Sequence, residues 1–142
     1  TTTLNKAAAE AIRPYAIHAC TDVTGFSLMG HGLEMAEGSG TSLMIDPAAI
    51  NVLPDAIEFA KMGILPEGMY RNREFAEAKA ELSNTPQALC DVLFDPQTSG
   101  GLLIAAAPKD ADAVYAALKA VTPYAQKIGT VIPKREKSII LC

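Results

Sequence analysis

The sequence has no uninterrupted apolar run of the roughly 18 residues that a membrane-spanning helix needs, and its first residues do not read as a signal peptide. Positive charge is scarce too: 12 Lys and Arg stand against 16 Asp and Glu, for a formal net charge of −4. The one basic cluster, Lys134–Lys137, is short and contains Glu136. Because no basic stripe is available to neutralise phosphates, we expect neither a nucleic-acid nor a membrane partner.

Cysteine is also sparse. The three cysteines, Cys20, Cys90 and Cys142, are odd in number, widely spaced and include no CxxC pair. This pattern argues against a disulfide framework and against a cysteine zinc site, and the reducing cytoplasm is the simplest location.

The 142 residues, of which 49% are hydrophobic and 20% charged, are typical of one globular domain. No internal repeat or long linker divides the chain, so we predict a single domain over residues 1–142. The chain begins with Thr1 rather than methionine, which suggests a fragment of a longer protein.

Periodicity and turn residues predict an α+β fold in which a mixed β-sheet is covered by helices. We predict helices over 4–13, 25–37, 54–62, 74–82, 86–93 and 110–121. Predicted strands cover 15–21, 41–45, 102–107, 125–132 and 138–141. The apolar run 102–107 should be a central strand, and the last two strands should form a hairpin around the basic cluster.

The junction between the first strand and the second helix is the most informative stretch. Asp22, Thr24 and Gly25 lie where a strand ends and a helix begins, a common place to hold a phosphate. A bare carboxylate would repel phosphate unless a divalent cation lay between them. Alternatively, Asp22 or Thr24 caps the helix, although no Glu or Gln follows three residues later to complete a capping box.

Two further polar segments, Pro66–Asn72 and Asp95–Gly101, are predicted loops in which site residues concentrate. The small residues of the second loop can direct several backbone N–H groups at a phosphate, although a plain tight turn explains them equally well. Arg71 either clamps an anion or lies solvated at the surface, and Asn72 is a possible orienting residue.

Histidine offers two weaker candidates. His18, Cys20 and Asp22 alternate along one strand, so they share a face and form a possible metal trio, although such residues in an apolar strand more often belong to the core. His31 follows Gly30 on the predicted helix and is expected to pack or hydrogen-bond rather than to catalyse.

Two segments carry a resemblance to a known family. Ala19–Phe26 (ACTDVTGF), followed by Gly30 and His31, resembles the signature of selenophosphate synthetase (selenide, water dikinase). Asp95–Leu103 (DPQTSGGLL) is similar to that family's second characteristic block. Ser27 departs from the pattern, because the family usually has glycine there. The likeness runs over nearly the whole chain, and its fold resembles the C-terminal domain of the aminoimidazole ribonucleotide synthetase superfamily.

The resemblance implies an ATP-dependent enzyme that forms selenophosphate, AMP and orthophosphate from selenide, ATP and water and requires Mg²⁺. It further implies that this chain is the C-terminal α+β domain, that an ATP-binding N-terminal domain lies outside it, and that the full-length protein is a homodimer. Asp22 matches the magnesium-ligand aspartate of that domain. We predict that ATP contacts come from Thr24, Gly25, Asn72, Thr98, Ser99 and Gly100.

Two other functions stay open at this point. One is a sister enzyme of the superfamily that uses another phosphate acceptor. The other is a non-catalytic regulatory or oligomerising module that keeps the fold without the chemistry.

Overall fold

The computed structural model describes residues 4–142. Its six α-helices are α1 (Asn5–Ile12), α2 (Ser27–Gly38), α3 (Ala56–Lys61), α4 (Glu67–Ala76), α5 (Gln87–Leu93) and α6 (Ala111–Val121). The six strands are β1 (Ile17–Asp22), β2 (Thr41–Ile45), β3 (Ala80–Glu81), β4 (Leu102–Ala106), β5 (Gly129–Pro133) and β6 (Ile139–Leu141). Short 3-10 turns occupy Pro47–Ala49 and Glu77–Lys79.

The strands form two sheets within this described part of the chain. The larger sheet has the order β3-β6-β2-β5, with β2 antiparallel to β5 and parallel to β6. A separate antiparallel pair joins β1 to β4. A mixed sheet packed with helices confirms the predicted α+β class.

Helix α2 covers the larger sheet and forms the main core. Its apolar stripe recurs at helical spacing, and the facing strand residues are equally buried. The buried apolar side chains of α2, β2 and β6 are Met29, Leu33, Ala36, Leu43, Ile45, Ile139 and Leu141. Gly32 faces this layer, and a Cβ there would make ordinary van der Waals contacts, 3.5 Å from Ile139 and 3.7 Å from Leu43. The first turn of α2, and the site before it, are therefore held against a rigid layer.

The predicted C-terminal hairpin is wrong. Strands β5 and β6 follow each other in sequence but do not pair, because β2 lies between them and bonds to both. The intervening basic cluster is not a free turn: Lys134 binds Glu37 at 2.6 Å, and Lys79 binds the same carboxylate at 2.7 Å. These bonds and one from Ser138 lower the pKa of Glu37 to about 2 and tie the end of α2 to the sheet.

The prediction that 102–107 is a central strand is also wrong. Strand β4 ends at Ala106, and its only strand partner among residues 4–142 is β1. All five of its residues are half-buried rather than fully buried. A continuous apolar run cannot distinguish a central strand from a two-stranded ribbon packed against helices, here α1 against β4 and α2 against β1.

The predicted loop Pro66–Asn72 is a helix. Pro66 immediately precedes α4, where its lack of an N–H group costs the helix no hydrogen bond. Glu67 is the first residue of the helix. A buried stripe at Met69, Asn72 and Ala76 fixes the helix to the core. The predicted helix over 74–82 is correspondingly wrong, because the chain leaves α4 at Ala76 and enters a 3-10 turn and β3.

Helix α3 is shorter than predicted. It begins at Ala56 rather than at Pro54, because Asp55 adopts a left-handed conformation with φ of 65° that interrupts the helix. The helix ends at Lys61, one residue before the predicted end, and Gly63 follows with φ of 74° as predicted for a residue just past a helix.

Ser27 begins α2 with a φ of 68°, a left-handed conformation that costs a residue with a Cβ roughly 1–2 kcal/mol. The side chain is fully buried, and its one hydrogen bond within the described residues, from the Gly30 N–H, is long at 3.4 Å. Glycine, the residue that the resembling family usually has here, is free of this cost.

We therefore expect Ser27→Gly to stabilise the chain by about 0.5–1 kcal/mol, which raises the melting temperature by about 2–3 °C. Thermal unfolding followed by circular dichroism measures this. Ser27→Ala is the control, because it removes the hydroxyl but keeps the strained φ, and it should lower the melting temperature. An equal rise in both variants would contradict a backbone origin.

Candidate functional site

The two sequence motifs lie side by side and are joined through their backbones. The Val23 N–H donates to the Gly101 carbonyl at 2.8 Å, and the Gly100 N–H donates back to the Val23 carbonyl at 2.9 Å. The Gln97 N–H adds a bond of 3.0 Å to the Thr24 carbonyl. Pairing of Asp22 with Leu102 at the end of the β1–β4 ladder sets this register. The loops that the sequence analysis treated separately therefore form one surface.

Gly100 is required at this contact. A Cβ there would lie 2.9 Å from the Val23 carbonyl oxygen and 2.8 Å from Cβ of Gln97. The neighbouring Ser99 and Gly101 both have positive φ, at 58° and 102°. This backbone turns sharply and leaves Thr98, Ser99 and Gly100 exposed. Three predicted ligand residues are therefore accessible.

Asp22 is exposed at the end of β1, and its carboxylate has no hydrogen bond or ion pair with residues 4–142. Helix α2 starts only at Ser27, and its N-cap residue Phe26 makes no side-chain capping bond. The alternative that Asp22 or Thr24 caps the helix is therefore wrong. A charged side chain without a structural partner is free to bind a ligand.

The first turn of α2 does not offer the predicted phosphate site. Ser27 and Met29 are fully buried, so their N–H groups are closed to a ligand. The preceding turn is open instead: Gly25 is exposed, and a Cβ built on it meets nothing within 4 Å. An anion at this junction would meet the Thr24–Phe26 turn rather than the helix terminus.

Asn72 braces this turn from α4. Its side-chain amide donates to the Gly25 carbonyl at 2.9 Å and to the Phe94 carbonyl at 3.1 Å, and the residue is 6% exposed. That geometry favours a bracing role over direct contact with a ligand. Arg71 is exposed and pairs with Glu67 one turn earlier, which supports the solvated alternative.

The His31 imidazole makes hydrogen bonds through both ring nitrogens, which confirms the prediction that it hydrogen-bonds. Its Nε2 lies 3.1 Å from the Thr24 hydroxyl, and its Nδ1 lies 3.1 Å from the Glu34 carboxylate. No sequence motif pointed to Glu34. The spacing of three residues between His31 and Glu34 on a helix was the available signal.

The possible metal trio of His18, Cys20 and Asp22 is not supported. All three residues are exposed on one face of β1, yet no three His, Cys, Asp or Glu side chains between residues 4 and 142 come together as a metal-binding group. Partial burial and then the charge of Asp22 raise the pKa of the Cys20 thiol, which disfavours the thiolate that binds metals.

Gln97 and Asp95 form a second feature that the sequence analysis did not single out. The Gln97 amide donates to the Asp95 carboxylate and to its backbone carbonyl, both at 3.1 Å. Burial raises the pKa of Asp95, and the bond from Gln97 opposes that rise. Since the Gln97 N–H also bonds to Thr24, this residue sets the base of the Thr98–Gly100 loop.

Comparisons with known proteins identify the family of the chain. A family model described as "AIR synthase related protein, C-terminal domain" matches residues 1–142. The chain belongs to this family. The predicted superfamily fold is thereby confirmed. Across residues 4–142, no helix combines the length and the apolar character needed to cross a membrane.

Curated relatives extend the likeness. The chain is 46% identical over 140 residues to "Selenide, water dikinase" of Clostridium botulinum strain Alaska E43, which covers 98% of the chain and 41% of the relative. It is 44% identical over 139 residues to "Selenide, water dikinase 2" of Peptoclostridium acidaminophilum, with 97% and 40% covered. The resemblance to the C-terminal part of selenophosphate synthetase is confirmed, and the chain spans about two fifths of the length of these relatives.

Proposed function

We propose that this chain is the C-terminal domain of an enzyme that converts selenide, ATP and water into selenophosphate, AMP and orthophosphate. The observation that carries the proposal is the backbone pairing of the two family-like motifs, which places a carboxylate that has no partner among residues 4–142 beside an exposed loop of small residues. The names of relatives that are 44–46% identical support the reaction. This activity belongs to the full-length protein.

Asp22 is the proposed Mg²⁺ ligand of this domain. Magnesium binds oxygen ligands and is often held by one or two carboxylates together with substrate phosphates and water, so a single exposed carboxylate fits a shared site. Absence of a three-residue metal cluster among the described residues fits the same arrangement, with further ligands supplied from outside this chain. A bound Mg²⁺ would neutralise charge on the transferred phosphoryl group.

Thr98, Ser99, Gly100 and Gly25 are the proposed wall of the ATP cleft. All four residues are exposed, and the loop that carries the first three bonds to the strand end that carries Asp22. The Gly100 N–H already donates to the Val23 carbonyl, so the backbone N–H groups proposed for phosphate oxygens are those of Thr98 and Ser99. Asn72 would act on ATP only indirectly, by holding the Gly25 turn in place.

The proposed partners are an N-terminal domain of the same protein and a second copy of the full-length enzyme, in the cytoplasm. Phe26 and Phe75 stack with centroids 6.2 Å apart, and more than half of each residue is exposed. An exposed aromatic pair next to the site supports a surface that the N-terminal domain covers.

We expect the isolated chain not to bind Mg²⁺-ATP tightly, because the proposed site is shared with the N-terminal domain. Titration calorimetry should show no dissociation constant in the low micromolar range, which corresponds to about −8 kcal/mol. The full-length protein, measured in parallel, should bind. Tight binding by the isolated chain would contradict a shared site.

Product analysis of the full-length protein separates the three candidate functions. Selenide-dependent formation of AMP supports the proposal. Turnover of ATP that needs another acceptor instead of selenide would indicate the sister enzyme. Absence of any ATP turnover in a folded full-length protein would indicate the regulatory module.

A further inference from the structure

The Thr24 hydroxyl is connected to the Glu34 carboxylate through the His31 imidazole. The two contacts, Thr24 Oγ1 to Nε2 and Nδ1 to Glu34 Oε2, are both 3.1 Å long. The His31 side chain is 12% exposed, and the Phe26 ring packs edge-on against it with centroids 5.7 Å apart. Turning the ring over would break both hydrogen bonds, so these bonds fix its orientation.

This chain of contacts determines where the hydroxyl hydrogen points. A carboxylate only accepts hydrogen bonds, so Nδ1 of His31 carries the ring proton and donates it to Glu34. In the neutral ring Nε2 is then an acceptor, and the Thr24 hydroxyl supplies the hydrogen for it. The lone pairs of the Thr24 oxygen are left to face outward from the ring.

We propose that Glu34 and His31 are positioning residues that make Thr24 a hydrogen-bond acceptor at the site. Thr24 follows Asp22 by two residues, and an acceptor near a carboxylate suits a ligand that donates, such as the water shell of a hydrated divalent cation. A phosphate oxygen only accepts, so it is directed to the N–H groups of Thr98 and Ser99, since the Gly100 N–H bonds to the Val23 carbonyl. This deepens the proposed function, and its cation part rests on that function.

The first test determines directly which ring nitrogen of His31 carries the proton. Nitrogen-15 NMR of the 142-residue chain at pH 8, where an ordinary imidazole is neutral, distinguishes a protonated from an unprotonated ring nitrogen. We expect His31 with the proton on Nδ1, and we expect Glu34→Ala to return it toward the Nε2-protonated form usual in free imidazole. His18, the other histidine, is exposed and serves as the internal control. An Nε2 proton on His31 in the unmodified chain would overturn the proposal.

The second test measures whether the Thr24 hydroxyl acts as a hydrogen-bond acceptor, with Mn²⁺ alone as the probe. Paramagnetic broadening of the Gly25 amide signal is followed as Mn²⁺ is added to the chain. Glu34→Ala and Thr24→Val should each raise the half-broadening concentration about three- to tenfold, the effect of losing one hydrogen bond. Thr24→Ser keeps the hydroxyl and should match the unmodified chain. Equal values for Thr24→Val and the unmodified chain, or no broadening at millimolar Mn²⁺, would overturn the acceptor role.

These readouts do not depend on turnover. A full-length protein without selenide-dependent activity would remove the proposed function while the tautomer result stood. Conversely, an active enzyme whose His31 is protonated at Nε2 would keep the function and remove the positioning role.

Discussion

Asp22→Asn in the full-length protein should lower selenide-dependent ATP turnover by more than about 100-fold, because even residues that only support a metal ligand typically cost 10–100-fold. Asparagine has nearly the shape of aspartate but no charge, and it is a far poorer ligand for Mg²⁺. Since the Asp22 carboxylate has no structural partner among the described residues, the free energy of unfolding should change by less than about 0.5 kcal/mol. Turnover as a function of Mg²⁺ concentration and thermal unfolding are the two measurements.

Asp55→Asn is the matched control. Asp55 is also exposed, and it makes no side-chain capping bond. Its φ of 65° is one that asparagine adopts readily, so the same loss of charge should leave turnover and stability unchanged. Near-normal turnover of folded Asp22→Asn at ordinary Mg²⁺ concentrations would remove the metal assignment.

Gly100→Ala should damage stability and turnover together. The added methyl group would meet the Val23 carbonyl at 2.9 Å, and backbone atoms there cannot move without breaking the bonds between the two motifs. Overpacking of this kind costs about 1–3 kcal/mol. A displacement of about 1 Å between the motifs is enough to lower turnover by about 100-fold. Denaturant unfolding of the chain and turnover of the full-length protein measure the two effects.

Gly38→Ala is the control for this prediction. A Cβ on Gly38, at the end of α2, meets nothing within 4 Å, and alanine favours the helix by about 0.5–1 kcal/mol. That variant should be as stable as the unmodified chain or more so, with unchanged turnover. If Gly100→Ala behaved in the same way, close packing of the motifs would not be needed for the site.

Local sequence signals predicted the helices and strands that bury one apolar face. Helix α2 and strand β2 appear within two residues of their predicted bounds, because periodicity, Gly40 and Pro47 mark their limits. The pairing of the strands was not predictable from such local signals. Nothing in β5 or β6 records that β2 lies between them, so adjacency in sequence suggested a hairpin that the sheet does not contain.

The site was predictable in composition but not in arrangement. The motifs pointed to Asp22 and to Thr98–Gly100, all of which are exposed in the structure. The role of Asn72 was not visible, because a polar residue that braces two carbonyls looks the same in sequence as one that binds a ligand. Ser27 showed only as a departure from a family pattern, whereas its positive φ explains why glycine suits the position.

Backbone pairing between the two motifs also has a consequence for the order in which the molecule forms. Asn72 lies 47 residues from Gly25 and 22 residues from Phe94, and the two motifs are further apart still. Contacts of such long range form after local helices, because each chain loop must close, at a cost in conformational entropy, before the hydrogen bonds across it can form. The pairing of the two motifs has no local precursor, so folding kinetics should place the contact between Gly100 and Val23 among the last to form, with low φ-values in a mutational analysis of the transition state.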